Sequence, residues 1–165
     1  MRNALAIAVL LLCSCSQQKE YRDEAVFPGQ LDARWGMTKQ EVKDIYPMAE
    51  GSANVLSWRQ RVLTIKSRVA VRFTDNDRLD GLFVIFEDEV ITVCDMLRTI
   101  FIDNYGMYRD VSEGTEGYSK DETWDKIKTG QYSPGEQWTT MDRVISLHLQ
   151  GSEGTITLIM TITHR

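Results

Sequence analysis

Cysteine, histidine and positive charge are all scarce in this sequence. The 165 residues include three cysteines and two histidines. That is too few for a disulfide scaffold or a closed four-ligand zinc site. Lys and Arg number 19 against 24 Asp and Glu, a net charge of −5 with a pI near 5.1. This balance argues against a general nucleic-acid binder. The apolar run Ala4–Leu12 has nine residues, far short of the roughly 20 that span a bilayer. No Gly-x-Ser-x-Gly elbow, phosphate loop or dinucleotide fingerprint occurs. What remains is an ordinary globular composition, 42% hydrophobic and 26% charged, sized for one domain.

The first residues read as an address. Arg2 supplies a positive n-region and Ala4–Leu12 the apolar core of a signal peptide. Leu12-Cys13-Ser14-Cys15 then resembles the bacterial lipobox: an aliphatic residue, two small residues and a cysteine. That resemblance implies cleavage before Cys15 and a diacylglycerol carried on its thiol as a thioether. The alternative is a short anchor, cleaved or not, with two idle thiols. Two or three acyl chains anchor stably, whereas one binds only marginally. Ser16 after the cysteine implies, by analogy with lipoprotein sorting, the outer membrane, facing the periplasm. Residues 1–14 are thus a leader, 15–26 the lipidated Cys15 with a polar tether, and 27–165 one domain. About ten flexible residues reach about 15–20 Å. Loss of Arg2 takes the side-chain charge to −6 (18 − 24). An acidic domain is weakly repelled by anionic lipid, so acyl chains rather than a basic patch are expected to hold it.

Past the turn at Phe27-Pro28-Gly29, Thr38 and Glu41 have the spacing of a helix capping box, with Met37 and Val42 placed as a hydrophobic staple. Pro47 ends that helix. Gly36-Met37-Thr38-x-x-Glu41-Val42 resembles the helix opening of outer-membrane lipoproteins of the SmpA/OmlA (BamE) type. It also resembles the related β-lactamase-inhibitor-protein fold. Trp35 before it is similar to a Trp-Gly-x-Ser/Thr opening in other lipoproteins, whereas Tyr46-Pro47 departs from the Gly-x-Pro-like turn of the barrel-assembly family. The resemblance implies α–β–β units: an antiparallel sheet with helices on one face.

The periodicities agree with an α+β fold of two helices on one sheet face, in tandem helix-plus-hairpin units. Val69, Val71 and Phe73 alternate with Arg68, Ala70 and Arg72, the period of a half-buried strand. Asp75–Arg78 is a turn, and Leu79–Phe86 is apolar enough for a central strand. An earlier strand over Val55–Ile65 is interrupted by Arg59-Gln60-Arg61. Over Asp88–Tyr105, Val90, Val93, Cys94, Leu97, Ile100, Phe101 and Tyr105 form a helical stripe, with Asp88 as cap and Gly106 as terminator. Cys94 on that stripe reads as an inert buried thiol. Met107–Gly135 shows no clear period; such length signals a functional loop or an unrecognised element. Ile145, Leu147 and Leu149, then Ile156, Leu158, Met160 and Ile162, form a closing hairpin around Gly151–Gly154.

Catalytic and metal chemistry find little footing. Asp75-x-Asp77 fails the calcium-loop spacing at Leu79, Asp80 and Glu87. His148 and His164 lack a third ligand. A Cys94–His148 dyad would need an exposed thiolate. No catalytic residues, metal site or cofactor are therefore expected beyond the covalent lipid on Cys15. Trp58, Trp124, Tyr132 and Trp138 are the candidate partner-binding residues, because Trp and Tyr anchor interfaces; packing in the core is the competing role. The expected function is a membrane-anchored, non-enzymatic protein-binding or assembly module with an envelope protein partner. Rival readings are an inhibitor or ligand-binding protein using the open sheet face, and an unrecognised hydrolase.

Overall fold

A computed structural model of the chain describes residues 26–27, 29–117 and 119–164. The leader, Cys15 and the tether up to residue 25 lie outside the described residues, whereas Val26, expected at the end of the tether, is buried in the domain and bonded to Ala33. Thr38 opens α1 (Lys39–Ile45) as the spacing requires. Its hydroxyl accepts from the Glu41 N–H, and the Glu41 carboxylate accepts from the Thr38 N–H at 2.7 Å. Val42 is fully buried beneath this cap, and Pro47 follows one residue past the C-cap Tyr46.

Three strands come next: β1 (Val55–Val62), β2 (Ile65–Phe73) and β3 (Leu79–Phe86). α2 (Val90–Tyr105) leads through β4 (Arg109–Asp110), β5 (Glu113–Gly114), α3 (Lys120–Lys128) and β6 (Tyr132–Ser133). Then follow β7 (Gly135–Thr139), β8 (Arg143–Ser152) and β9 (Thr155–His164). Seven strands form one antiparallel sheet in the order β1-β2-β3-β9-β8-β7-β4, and β5 pairs with β6 apart from it. The fold is α+β. Each of the two meanders, β1-β2-β3 and β7-β8-β9, ends at the centre, where β3 pairs with β9.

Strand alternation separates the two faces. One carries Leu56, Trp58, Val69, Val71, Leu82, Val84, Phe86, Leu158, Met160, Ile162, Ile145, Leu147 and Trp138, all buried. The helices touch this face through named contacts. Tyr46, just past α1, stacks on Trp58 at 4.3 Å, and Phe101 of α2 tilts against Trp138 at 5.2 Å. α3 approaches β8 so closely that a Cβ on Gly151 would overlap the Ile127 carbonyl.

Several expectations are corrected. Among the described residues three helices are present rather than two, because α3 forms within Met107–Gly135. Its signal is a Ser-x-x-Glu start: Ser119 Oγ accepts from the Glu122 N–H, with acids in the first turn and lysines in the last. β1 runs unbroken through Arg59-Gln60-Arg61, since Arg59 and Arg61 occupy the polar face of the pleat. α2 begins after Glu89, which sits at φ +51 with no side-chain cap, so Asp88 is not the cap. Val93, Cys94, Leu97 and Phe101 are buried, but Ile100 and Tyr105 are about two-fifths exposed at 38% and 41%.

Candidate functional site: the outward face of the sheet

The second face of the sheet is read from the strand register. Three rows of directly opposed residues cross it. Arg59, Arg68, Ile85, Ile159 and His148 make one row. Ser57, Ala70, Phe83, Thr161, Ser146 and Gln137 make the second, and Val55, Arg72, Gly81, Thr163, Val144 and Thr139 the third. Beyond the first row, beside the β1–β2 turn, Arg61 opposes Lys66.

The face changes character along these rows. Its centre and β8 side hold Phe83, Ile85 and Ile159, each half-buried, among threonines. Ser146 and Thr161 share a hydrogen bond of 2.7 Å there. The β1–β2 side is cationic. Arg59 opposes Arg68 and Arg61 opposes Lys66, and like charges directly opposed across strands are destabilising. Arg72 is neutralised by a two-pronged contact with Asp80 at 3.0 and 3.1 Å. Arg68 reaches Glu87 at 3.5 Å, and Arg61 donates to the Thr64 carbonyl. Arg59 and Lys66 have no ion pair among the described residues. The four cations, with Glu87 and Asp88, line a hollow of about 310 Å³. The net negative charge of the chain thus conceals a local basic array. Its signal was in the sequence: Arg59, Arg61, Lys66, Arg68 and Arg72 all fall on the polar phase of a two-residue period.

The turn that joins these strands is also unusual. Leu63 and Thr64 both have positive φ, +52 and +68. Two-residue hairpin turns require such angles and normally recruit Asn or Gly for them. The turn is held from outside, because the Leu63 N–H donates to the Gln30 side chain at 2.6 Å and Leu63 packs against the core.

The four aromatic candidates divide. Trp58 is 7% exposed and Trp138 2%, and both indole N–H groups are bonded, to Gln60 Oε1 and the Gly106 carbonyl. These two serve the core and leave no indole face for a partner. Trp124 and Tyr132 are half-buried. Trp124 lines a shallow hollow of about 520 Å³ with Arg98, Lys120, Thr123 and Ile127. Beside it Arg98 pairs with the Glu136 carboxylate at 2.6 Å, while the other oxygen of Glu136 is buried without a partner among the described residues.

Burial pushes the Cys94 thiol up to about 11; Arg98 opposes this and Glu136 reinforces it. Cys94 faces Arg98 on the helix-bearing side, whereas His148 lies on the outward face, so the sheet separates that pair. His164 is placed against the Trp35 ring, centroids 5.8 Å apart. Among the described residues no three His, Cys, Asp or Glu side chains converge as metal ligands, and no helix is long and apolar enough to cross a membrane. Comparison of the chain with protein-family models, curated proteins and solved structures yields no match.

Proposed function

We propose that the chain is a membrane-anchored envelope lipoprotein, lipidated on Cys15, that acts as a non-enzymatic protein-binding or assembly module. Its contact surface is the outward sheet face. The partner it fits is a protein presenting an apolar patch to Phe83, Ile85 and Ile159, with hydroxyl contacts at its rim. One observation carries this reading: three large apolar side chains stand half-exposed on adjacent central strands, on the face opposite the core. Apolar centres with polar rims are the anatomy of interfaces. The hydrolase reading draws no support from Cys94 and His148, which lie on opposite sides of the sheet.

Crosslinking in cells tests the partner. Phe83→Asp with Ile159→Asp should abolish a crosslink made by the wild-type chain, at unchanged abundance. A crosslink that survives both substitutions contradicts the assignment of this face. Lipidation has its own test: Cys15→Ala should release the protein from the membrane fraction, and full retention there would overturn Cys15 as anchor.

A further inference from the structure

The basic side of the outward face is costly by two independent criteria. Two pairs of like charges oppose each other across β1 and β2. Two non-glycine residues hold positive φ in the turn beside them. Strain and unfavourable charge that persist together point to a function that uses them. The Cβ atoms that carry these four cations are spaced about 5 Å across the strands and about 7 Å along them. That grid suits several closely spaced phosphates better than one small anion.

Position supplies the source of those phosphates. Gln30 is bonded to this same hairpin: its side chain accepts from the Leu63 N–H, and its carbonyl accepts from the Gln60 side chain at 3.2 Å. Val26, four residues earlier, lies eleven positions after Cys15 (26 − 15). The polar tether expected from the sequence would reach about 15–20 Å over that length. The segment that follows the tether is therefore fastened at Gln30 to the hairpin that carries Arg61 and Lys66. A lipid on Cys15 would hold those cations beside the bilayer, within reach of an anionic surface whose field decays over about 8–10 Å.

We propose that the β1–β2 hairpin docks on the anionic phosphate headgroups of the membrane to which the chain is tethered, with Arg59, Arg61, Lys66 and Arg68 as the contact residues. Arg68, directly opposite Ile85, marks where this contact meets the partner-binding centre of the face. The geometry rests on the lipoprotein reading, so the experiment separates the two.

Flotation of the full-length chain with vesicles is the test. Wild-type protein should float with neutral phosphatidylcholine vesicles, which reports the anchor alone; failure there would overturn lipidation and leave the hairpin assay intact. The full-length Cys15→Ala chain then reports the hairpin as binding in excess of its neutral-vesicle baseline. Vesicles doped with cardiolipin should retain it at least about tenfold better at roughly 50 mM salt, and that excess should vanish near 0.5 M. Arg59→Glu with Lys66→Glu should remove the excess and still give a cooperative unfolding transition. Lys43→Glu with Arg109→Glu, exposed positions giving the same total charge, should retain most of it. Equal binding to neutral and doped vesicles overturns the proposal. So does an excess untouched by the Arg59 and Lys66 reversals. Tight binding of inorganic phosphate or poly-glutamate by the same residues, without vesicle preference, would assign the array to a free anion or an acidic polypeptide instead.

Discussion

The two long hairpins of the sheet share a geometry and differ in how they satisfy it. Both β1–β2 and β8–β9 close on two residues of positive φ: Leu63 and Thr64 in one, Glu153 and Gly154 in the other. The second hairpin keeps closer to the local rules, with one non-glycine residue, Glu153, at φ +51. Gly154, at φ +82, carries no Cβ to clash, and Ser146 bonds Thr161 across the strands. The first breaks them, with a β-branched residue at φ +68 and cations facing cations. The core side is buried in both, with Leu56, Val69 and Val71 matched by Ile145, Leu147 and Met160. The difference is confined to the outward surface. It marks β1–β2 as the hairpin that the proposed membrane contact would use.

Exchanging the features of the two hairpins should expose this most strongly. Ser146→Lys with Thr161→Arg would install an opposed cationic pair on β8–β9, remove a shared hydrogen bond and press a cation into the buried position of Ser146. A loss of about 2 kcal/mol in equilibrium unfolding is expected. A neutral result would mean the sheet tolerates opposed cations anywhere, and the comparison would lose its force.

Exchange of turn residues comes next. Gly154→Thr should cost about 1–2 kcal/mol, because a β-branched side chain is forced into a left-handed angle. Thr64→Gly should gain about 1 kcal/mol by the reverse. Thermal midpoints moving in opposite directions would confirm that Thr64 is strained where Gly154 is not. Ionic strength gives a smaller effect. Salt near 0.5 M screens the array, so the penalty of Arg59 and Lys66 should shrink by about 0.5 kcal/mol. Parallel unfolding of wild type and the double reversal at low and high salt reads this as a narrowing gap between their midpoints.

The smallest effect is a pH dependence at the start of β8. Hydrogen bonds from Arg143 and then Thr140 hold the Asp142 carboxyl down at about 2, against an ordinary 3.8. The depressed value means the folded state favours the carboxylate. Its contribution is present above pH 3.8 and is lost as pH falls through about 2. Exposure and solvent screening keep it small. Asp142→Asn should lower stability slightly at neutral pH and flatten the acid limb in that window, with the difference from wild type vanishing near pH 2.

The fold was largely legible because its signals are local. Thr38 and Glu41 announce α1, the alternation through Val69–Phe73 announces β2, and the apolar Leu79–Phe86 announces a central strand. α3 was missed because Trp124 and Ile127 supply too short an apolar stripe to reveal a period, though Ser119 and Glu122 carried its cap. The site was less legible. Trp58 and Trp138 look like anchors by residue type, but burial depends on contacts with Tyr46 and Phe101 that only the tertiary fold brings near. Arg59 and Arg61 read as an interruption of a strand until the register sets them opposite Arg68 and Lys66. Net charge misled in the same way, because it sums over the whole surface what the sheet concentrates on one hairpin.

The central claim is that β1–β2 gives up stability to hold its cations in place. Equilibrium urea unfolding of Arg59→Glu with Lys66→Glu, beside Lys43→Glu with Arg109→Glu at equal net charge, tests it most directly. The first pair turns both repulsive contacts into attractive ones. Its midpoint should exceed that of the second pair by the equivalent of about 1 kcal/mol. Equal midpoints, or a lower one for the hairpin variant, would contradict the account.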